Sequence, residues 1–182
     1  MTHFKPRVSH LSHQALVIGL SSLVFFSTTV LADGVSLSDK HFLKNAAQAG
    51  NYEIEGSKLA QSKSKNPEVK SFAKHIIDDH TKAAAELKAL AAKKGVELPA
   101  KPSLLQMTSL KLLGTHDGTE FDESYAENIG VDAHESAVED FSEAAEDDDD
   151  PDVKKFAQKT LPTLQKHLEM AKSLESKVDK KD

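Results

Sequence analysis

Four side chains in this sequence have the types and the spacing to meet as one chemical group: Glu53, His80, His134 and His167. Each stands well inside a predicted helix, roughly 21 to 24 Å from its start at about 1.5 Å per residue, so all four reach mid-height whichever way their helices run. Each also falls on the inner face of its helix when the helical phase is counted out. Three imidazoles and one carboxylate are ligand types that suit zinc, iron, copper or manganese. The same set permits a second outcome, in which buried His and Glu satisfy one another by hydrogen bonding and fix the register of the helices with no ion present. A carboxylate-bridged pair of irons does not fit. That chemistry uses Glu-x-x-His on two helices, and the residues three before His80 and His167 are Ile77 and Leu164.

No other constellation competes. The chain has no cysteine, which excludes thiolate ligands, disulfides and a lipid-anchored cysteine, and it has no tryptophan. No glycine-rich phosphate loop and no Gly-x-Ser-x-Gly motif occurs. The acidic run Glu146 to Asp152 lacks the spaced ligands of a calcium loop and reads as a helix end followed by a cap. His41, His75 and His116 read as solvent-facing or loop-borne, and Ser57 and Lys58 as surface positions. No catalytic residue is assigned, and the sequence leans away from an enzyme.

The elements that would position the four residues are helices. Asn66-Pro67-Glu68-Val69-Lys70-Ser71-Phe72-Ala73-Lys74 and Asp150-Pro151-Asp152-Val153-Lys154-Lys155-Phe156-Ala157-Gln158 are near copies, each with an N-cap, a proline at the first helical position and an acid in the first turn. This internal repeat of a helix start points to two related helix pairs. The first helix is predicted from Asp39, capped by Ser38, to about Ser64, with Phe42, Ala46, Ala49, Glu53, Gly56 and Ala60 along one stripe. The second runs from Pro67 to about Lys94 and the fourth from Pro151 to about Val178. Between residues 95 and 119 lies a connection long enough to cross a bundle from end to end, with a short amphipathic helix over Ser103 to Leu113. The third helix, about Glu120 to Glu146, is irregular: Val131, His134, Val138, Phe141 and Ala145 keep one seam, whereas Phe121 and Tyr125 sit on another phase. Either a register shift occurs near Gly130, or those two aromatics pack against the connection. The fold expected is all-α, a ferritin-like four-helix bundle whose long crossover holds a short fifth helix.

Residues 1–32 read as a signal peptide, with Lys5 and Arg7, an apolar stretch to Leu31 and a small-residue cleavage site at Val30-Leu31-Ala32. A linker over 33–38, the bundle over 39–178 and a frayed tail over 179–182 follow. The formal net charge is −6, and losing the leader removes two positive charges and no negative one, leaving −8. So acidic a mature domain argues against nucleic acid as a partner. An exported, periplasmic location is expected, with membrane contact only through an uncleaved leader and an envelope protein or cell-wall component as the partner class.

The motif Glu53-Ile54-Glu55-Gly56-Ser57-Lys58-Leu59-Ala60, followed by Asp79-His80-Thr81-Lys82-Ala83, Lys94-Gly95-Val96-Glu97-Leu98-Pro99 and Leu161-Pro162-Thr163-Leu164-Gln165-Lys166-His167-Leu168, resembles the bacterial family catalogued as domain of unknown function 4142. Phe121-Asp122-Glu123-Ser124-Tyr125 and His134 continue the likeness, which covers about Asp39 to Leu174. The resemblance implies an exported ferritin-like bundle, often labelled a membrane or outer-membrane protein, with no agreed activity. It maps the family's motif histidines onto His80, His134 and His167 and its helix-one acids onto Glu53 and Glu55. Two functions follow as expectations. One is a bundle that binds a single transition-metal ion for metal or oxidative-stress handling, and the other is a non-catalytic envelope module with a metal-free His/Glu network.

Overall fold

Helix α1 (Leu37–Lys63) begins where Ser36 and Asp39 close a capping box. The Asp39 N–H donates to Ser36 Oγ at 3.0 Å and the Ser36 N–H donates to Asp39 Oδ2 at 3.2 Å. The cap is therefore Ser36 and not Ser38, because only a cap three residues before Asp39 can use its carboxylate in return. Helix α2 (Pro67–Lys93) starts at Asn66, whose Oδ1 accepts the Glu68 N–H at 3.0 Å. It stops at Gly95, whose φ of +67° is a left-handed conformation that glycine adopts without a Cβ clash. Helix α6 (Pro151–Val178) repeats the start of α2, with Asp150 Oδ1 accepting the Asp152 N–H at 2.9 Å. The duplicated sequence thus makes a duplicated cap, as expected, and the acidic run is built into it. Lys94 binds Asp150 at 2.6 Å and Asp152 at 2.7 Å, tying the end of α2 to the start of α6.

The connection contains α3 (Leu104–Leu113), capped by Ser103 and Gln106. The third long helix is composite: α4 (Gly118–Tyr125), a π-helical segment (Ala126–Asp132) and α5 (Ala133–Asp147). Of the two alternatives for its broken phase, the register shift is the one realised. A π-turn inserts an extra residue, so Phe121 and Tyr125 before it, Ile129 within it and His134, Ala137 and Phe141 after it all face the interior. Phe121 and Tyr125 are fully buried in the same core as Phe72 and Leu174.

Two apolar clusters show how the helices run. One gathers Phe42 and Leu43 of α1, Leu87 of α2, Phe141 of α5 and Phe156 of α6. The other gathers Ala60, Val69, Phe72, Tyr125 and Leu174. Hence α1 and α6 point one way, α2 and the composite helix the other, and the connection carrying α3 spans the bundle from end to end. This is an all-α, ferritin-like four-helix bundle. Helices approach closely at two glycines. A Cβ on Gly56 would lie 2.8 Å from Ile129 Cδ1, and one on Gly130 would lie 3.2 Å from Ala171 Cβ.

The structure, a computed structural model, describes residues 1–3 and 35–179. The chain separates into two units, Met1–Ala32 and Asp33–Asp182, and everything here concerns the second. Beyond its first three residues the predicted signal peptide lies outside the described residues, as do residues 33, 34 and 180–182. Among the described residues no helix is long and apolar enough to cross a membrane, so the membrane label that accompanies the resemblance is not borne out there.

Candidate metal centre

Between the two apolar clusters lies a polar layer with one contribution from each long helix: Glu53 from α1, His80 from α2, His134 from α5 and His167 from α6. Their relative exposures are 1, 6, 0 and 2 %, so the four side chains predicted to converge are all buried in one place. Glu55, the other acid of the helix-one motif, is exposed and pairs with Lys58 at 2.8 Å. Of the two acids it is therefore Glu53 that faces the interior.

One ring nitrogen from each of His80, His134 and His167 lies within 4.8 Å of the other two. The opposite edge of every ring meets an oxygen that can only accept a hydrogen bond. His80 Nδ1 lies 2.8 Å from Glu53 Oε2, His134 Nδ1 lies 3.1 Å from the Ile129 carbonyl oxygen, and His167 Nε2 lies 3.3 Å from Asp79 Oδ2. A carbonyl or a carboxylate in that position requires the proton on the facing nitrogen. In a neutral imidazole the remaining nitrogen then carries a lone pair, so His80 Nε2, His134 Nε2 and His167 Nδ1 are the atoms left to act as acceptors or ligands. Such an outer oxygen on each ring is the arrangement that fixes tautomer and orientation in histidine metal sites. Glu53 occupies this outer place on His80, and its Oε1 is 3.9 Å from His134 Nδ1.

Two buried atoms in the layer have no hydrogen-bond partner, His134 Nε2 and Glu53 Oε1. His80 Nε2 lies 3.3 Å from His167 Nδ1, with the two rings stacked at 5.3 Å between centroids. His134 stands edge-on to both, at 5.5 Å from each. Electrostatics follow the geometry. Burial pushes the Glu53 carboxyl up, but the charges of His80 and His134 outweigh it and hold the group below its ordinary range. Burial opposes protonation of His80, yet the Glu53 charge and hydrogen bond raise it above the ordinary imidazole range. Burial lowers His134, and burial followed by the neighbouring His80 and His134 depresses His167 to about 4.

Sequence reasoning did not include Asp79 or the Ile129 carbonyl. Asp79 is partly exposed at the edge of the apolar face of α2 and also binds Lys82 at 3.1 Å. Its place directly before His80 was the available signal. The Ile129 carbonyl reaches His134 because it lies five residues earlier in the π-helical segment, and a phase conflict in the sequence marks the register shift without showing which carbonyl it presents. One reading is corrected: Ser57 is not a surface position. It is fully buried, and its Oγ lies 2.8 Å from the Tyr125 hydroxyl. The close approach of α1 to the π-segment at Gly56 brings this pair together. His41 and His75 are exposed and His116 lies in a loop, as expected.

Fold and site together define a ferritin-like helical bundle with a buried histidine and carboxylate layer at its waist. The chain belongs to the family described as Domain of unknown function (DUF4142), whose model matches residues 27–174. No curated protein matches the sequence. Among solved structures the fold is similar to a DUF305 fragment from Deinococcus radiodurans, with a TM-score of 0.69 at 14 % identity over 79 % of this chain and 98 % of that one. A DUF305 protein from Streptomyces coelicolor gives a TM-score of 0.66 at 15 % identity, covering 78 % of this chain and 94 % of that one. CopM in its Cu(I)-bound form gives 0.62 at 19 % identity, covering 76 % and 95 %. At these identities the likenesses establish the fold.

Proposed function

We propose that the bundle binds one transition-metal ion through His80, His134 and His167, with Glu53, Asp79 and the Ile129 carbonyl orienting the three rings from outside. Glu53, counted among the ligands from sequence, then acts through His80. Three neutral imidazoles suit copper, zinc, iron or nickel better than manganese, which favours oxygen ligands. Copper is the ion to test first, because CopM, of similar fold, is known in a Cu(I)-bound form. Three histidines leave a further coordination position for water or an exchanging ligand. The physiological role would be metal buffering or protection outside the cytoplasm. The predicted leader and the secreted-protein name of the Streptomyces coelicolor relative support export.

What carries this reading is His134 Nε2. A metal-free network has its own support in the 3.3 Å approach of His80 Nε2 to His167 Nδ1. If His80 is protonated, one chain of hydrogen bonds runs from Glu53 through His80 and His167 to Asp79. That chain satisfies every nitrogen except His134 Nε2, which stays buried, facing the group and without a partner. A buried acceptor left unpaired costs about 1–3 kcal/mol, and an ion shared by the three rings removes that cost.

The experiment is elemental analysis of untagged protein, wild type and His80→Ala/His134→Ala/His167→Ala, followed by titration with copper and zinc. One ion per wild-type chain and none in the triple variant is the expected result. No ion in either protein, and no affinity on titration, returns the layer to a structural network.

A further inference from the structure

Beside the polar layer, between α1, α2, α5 and α6, the bundle holds a cavity of about 440 Å³ whose inner end is formed by Glu53, Asp79 and His80. Its size falls in the range of about 300–1,000 Å³ typical of small-molecule sites. The cause is legible in the residues. Where leucines would close the space between long helices, α1 presents Ala46, Ala47 and Gly50 and α2 presents Ala83, Ala84 and Ala91. Phe141 and Phe156 also line it, as do Val96, Leu98, Pro99 and Ala100 of the connection.

The polar atoms at the inner end are mostly committed. Both His80 nitrogens face Glu53 and His167, and Asp79 is held by Lys82 and His167. Glu53 Oε1 has no partner, but it is sealed from the cavity and lies 3.9 Å from His134 Nδ1, so it offers an incoming molecule no hydrogen bond. Two carboxylates at that end repel an anionic head group. The rim adds Asn51, whose side-chain amide donates to the Pro99 carbonyl at 3.3 Å, and the exposed Lys88.

We infer that this cavity binds a neutral, predominantly apolar small molecule. Carboxylate amphiphiles such as fatty acids are selected against. The cavity adjoins the proposed ion position through Glu53, Asp79 and His80, and its occupation does not require the ion.

The test uses the full mature chain after chelator treatment, so that its outcome is independent of metal binding. The probe is N-phenyl-1-naphthylamine, a neutral fluorophore with one N–H. Saturable binding of one probe per chain is expected, displaced by 1-decanol at least tenfold more effectively than by decanoate at neutral pH. Ala47→Leu and Ala84→Leu, on separate helices, fill the cavity and should each weaken probe binding at least tenfold, with helical content and metal stoichiometry as in wild type. Non-saturable fluorescence, equal displacement by decanol and decanoate, or unchanged binding in a folded leucine variant would each overturn the inference. Loss of metal stoichiometry in wild type would bear on the proposed ion and not on this cavity.

Discussion

Replacing His134 with leucine separates an ion-binding layer from a purely structural one. The ring is fully buried, donates through Nδ1 to the Ile129 carbonyl at 3.1 Å and leaves Nε2 unpartnered. Leucine is apolar and of similar size, so it removes an orphaned acceptor, worth about 1–3 kcal/mol, at the expense of one ordinary hydrogen bond, worth about 1 kcal/mol. Metal-free His134→Leu should therefore melt at or slightly above metal-free wild type. With ion at about 1,000 times its dissociation constant, wild type should gain about 4 kcal/mol. In a domain of this size that is a rise of about 8–16 °C, at about 2–4 °C per kcal/mol. His134→Leu, left with two ring ligands, should show a small fraction of this rise. The assay is thermal melting of both proteins followed by circular dichroism, with chelator and then with copper or zinc. A wild-type rise that His134→Leu reproduces in full would refute the three-ring ligand set. A metal-free variant melting far below wild type would refute the claim that His134 Nε2 is a burden on the ion-free protein.

Acid should destabilise the metal-free protein. His167 titrates at about 4 when folded, against about 6.5 when unfolded, so the unfolded chain takes up protons first as pH falls through 6.5, and the loss amounts to about 2 kcal/mol by pH 5. The depressed His134 acts in the same sense, while His80, raised when folded, contributes stability that is complete below the unfolded imidazole value and lost as pH rises. Urea unfolding at pH 7 and pH 5 should show the net loss, and His167→Leu should flatten it; a wild type equally stable at both values would contradict the assignment. Gly56→Val should cost about 1–3 kcal/mol by overpacking, because even its Cβ would lie 2.8 Å from Ile129. Equal denaturation midpoints would show that Ile129 moves aside. Asp150→Ala removes the cap of α6 together with its 2.6 Å bond to Lys94 and should cost about 1–2 kcal/mol by chemical denaturation, with ion binding unchanged.

How much of this was legible depends on whether a feature is periodic. The caps at Asn66 and Asp150, the length of α2 and α6, and the inward phase of Glu53, His80 and His167 follow from spacing along regular helices, where each residue turns by a fixed angle. The choice between Ser36 and Ser38 as cap turned on a reciprocal bond that a one-way reading of the serine misses. Asp79 was not singled out and Ser57 was placed on the surface because a helical wheel sees one helix. Asp79 gains its role from His167 on α6, and Ser57 from Tyr125 on the composite helix, partners no intrahelical count contains.

The π-helical segment links these points to the site. Its sequence, Ala126–Asp132, carries no residue that demands a wide turn, and its trace in the sequence is a conflict of phase between Phe121 and Tyr125 on one side and His134 on the other. Regular α-helix would satisfy one set and expel the other. Inserting one residue keeps both inside, and it does so within a few residues of His134, with Gly130 allowing the wider turn to approach Ala171 and Gly56 making room for Ile129. The same distortion places the Ile129 carbonyl where it can hold the His134 ring by Nδ1, which turns Nε2 toward His80 and His167. A helix defect is tolerated here because it aims a ring. If the segment served packing alone, Tyr125 and Ile129 would need it, but nothing would require the imidazole beyond it to be held in the one tautomer that leaves Nε2 free.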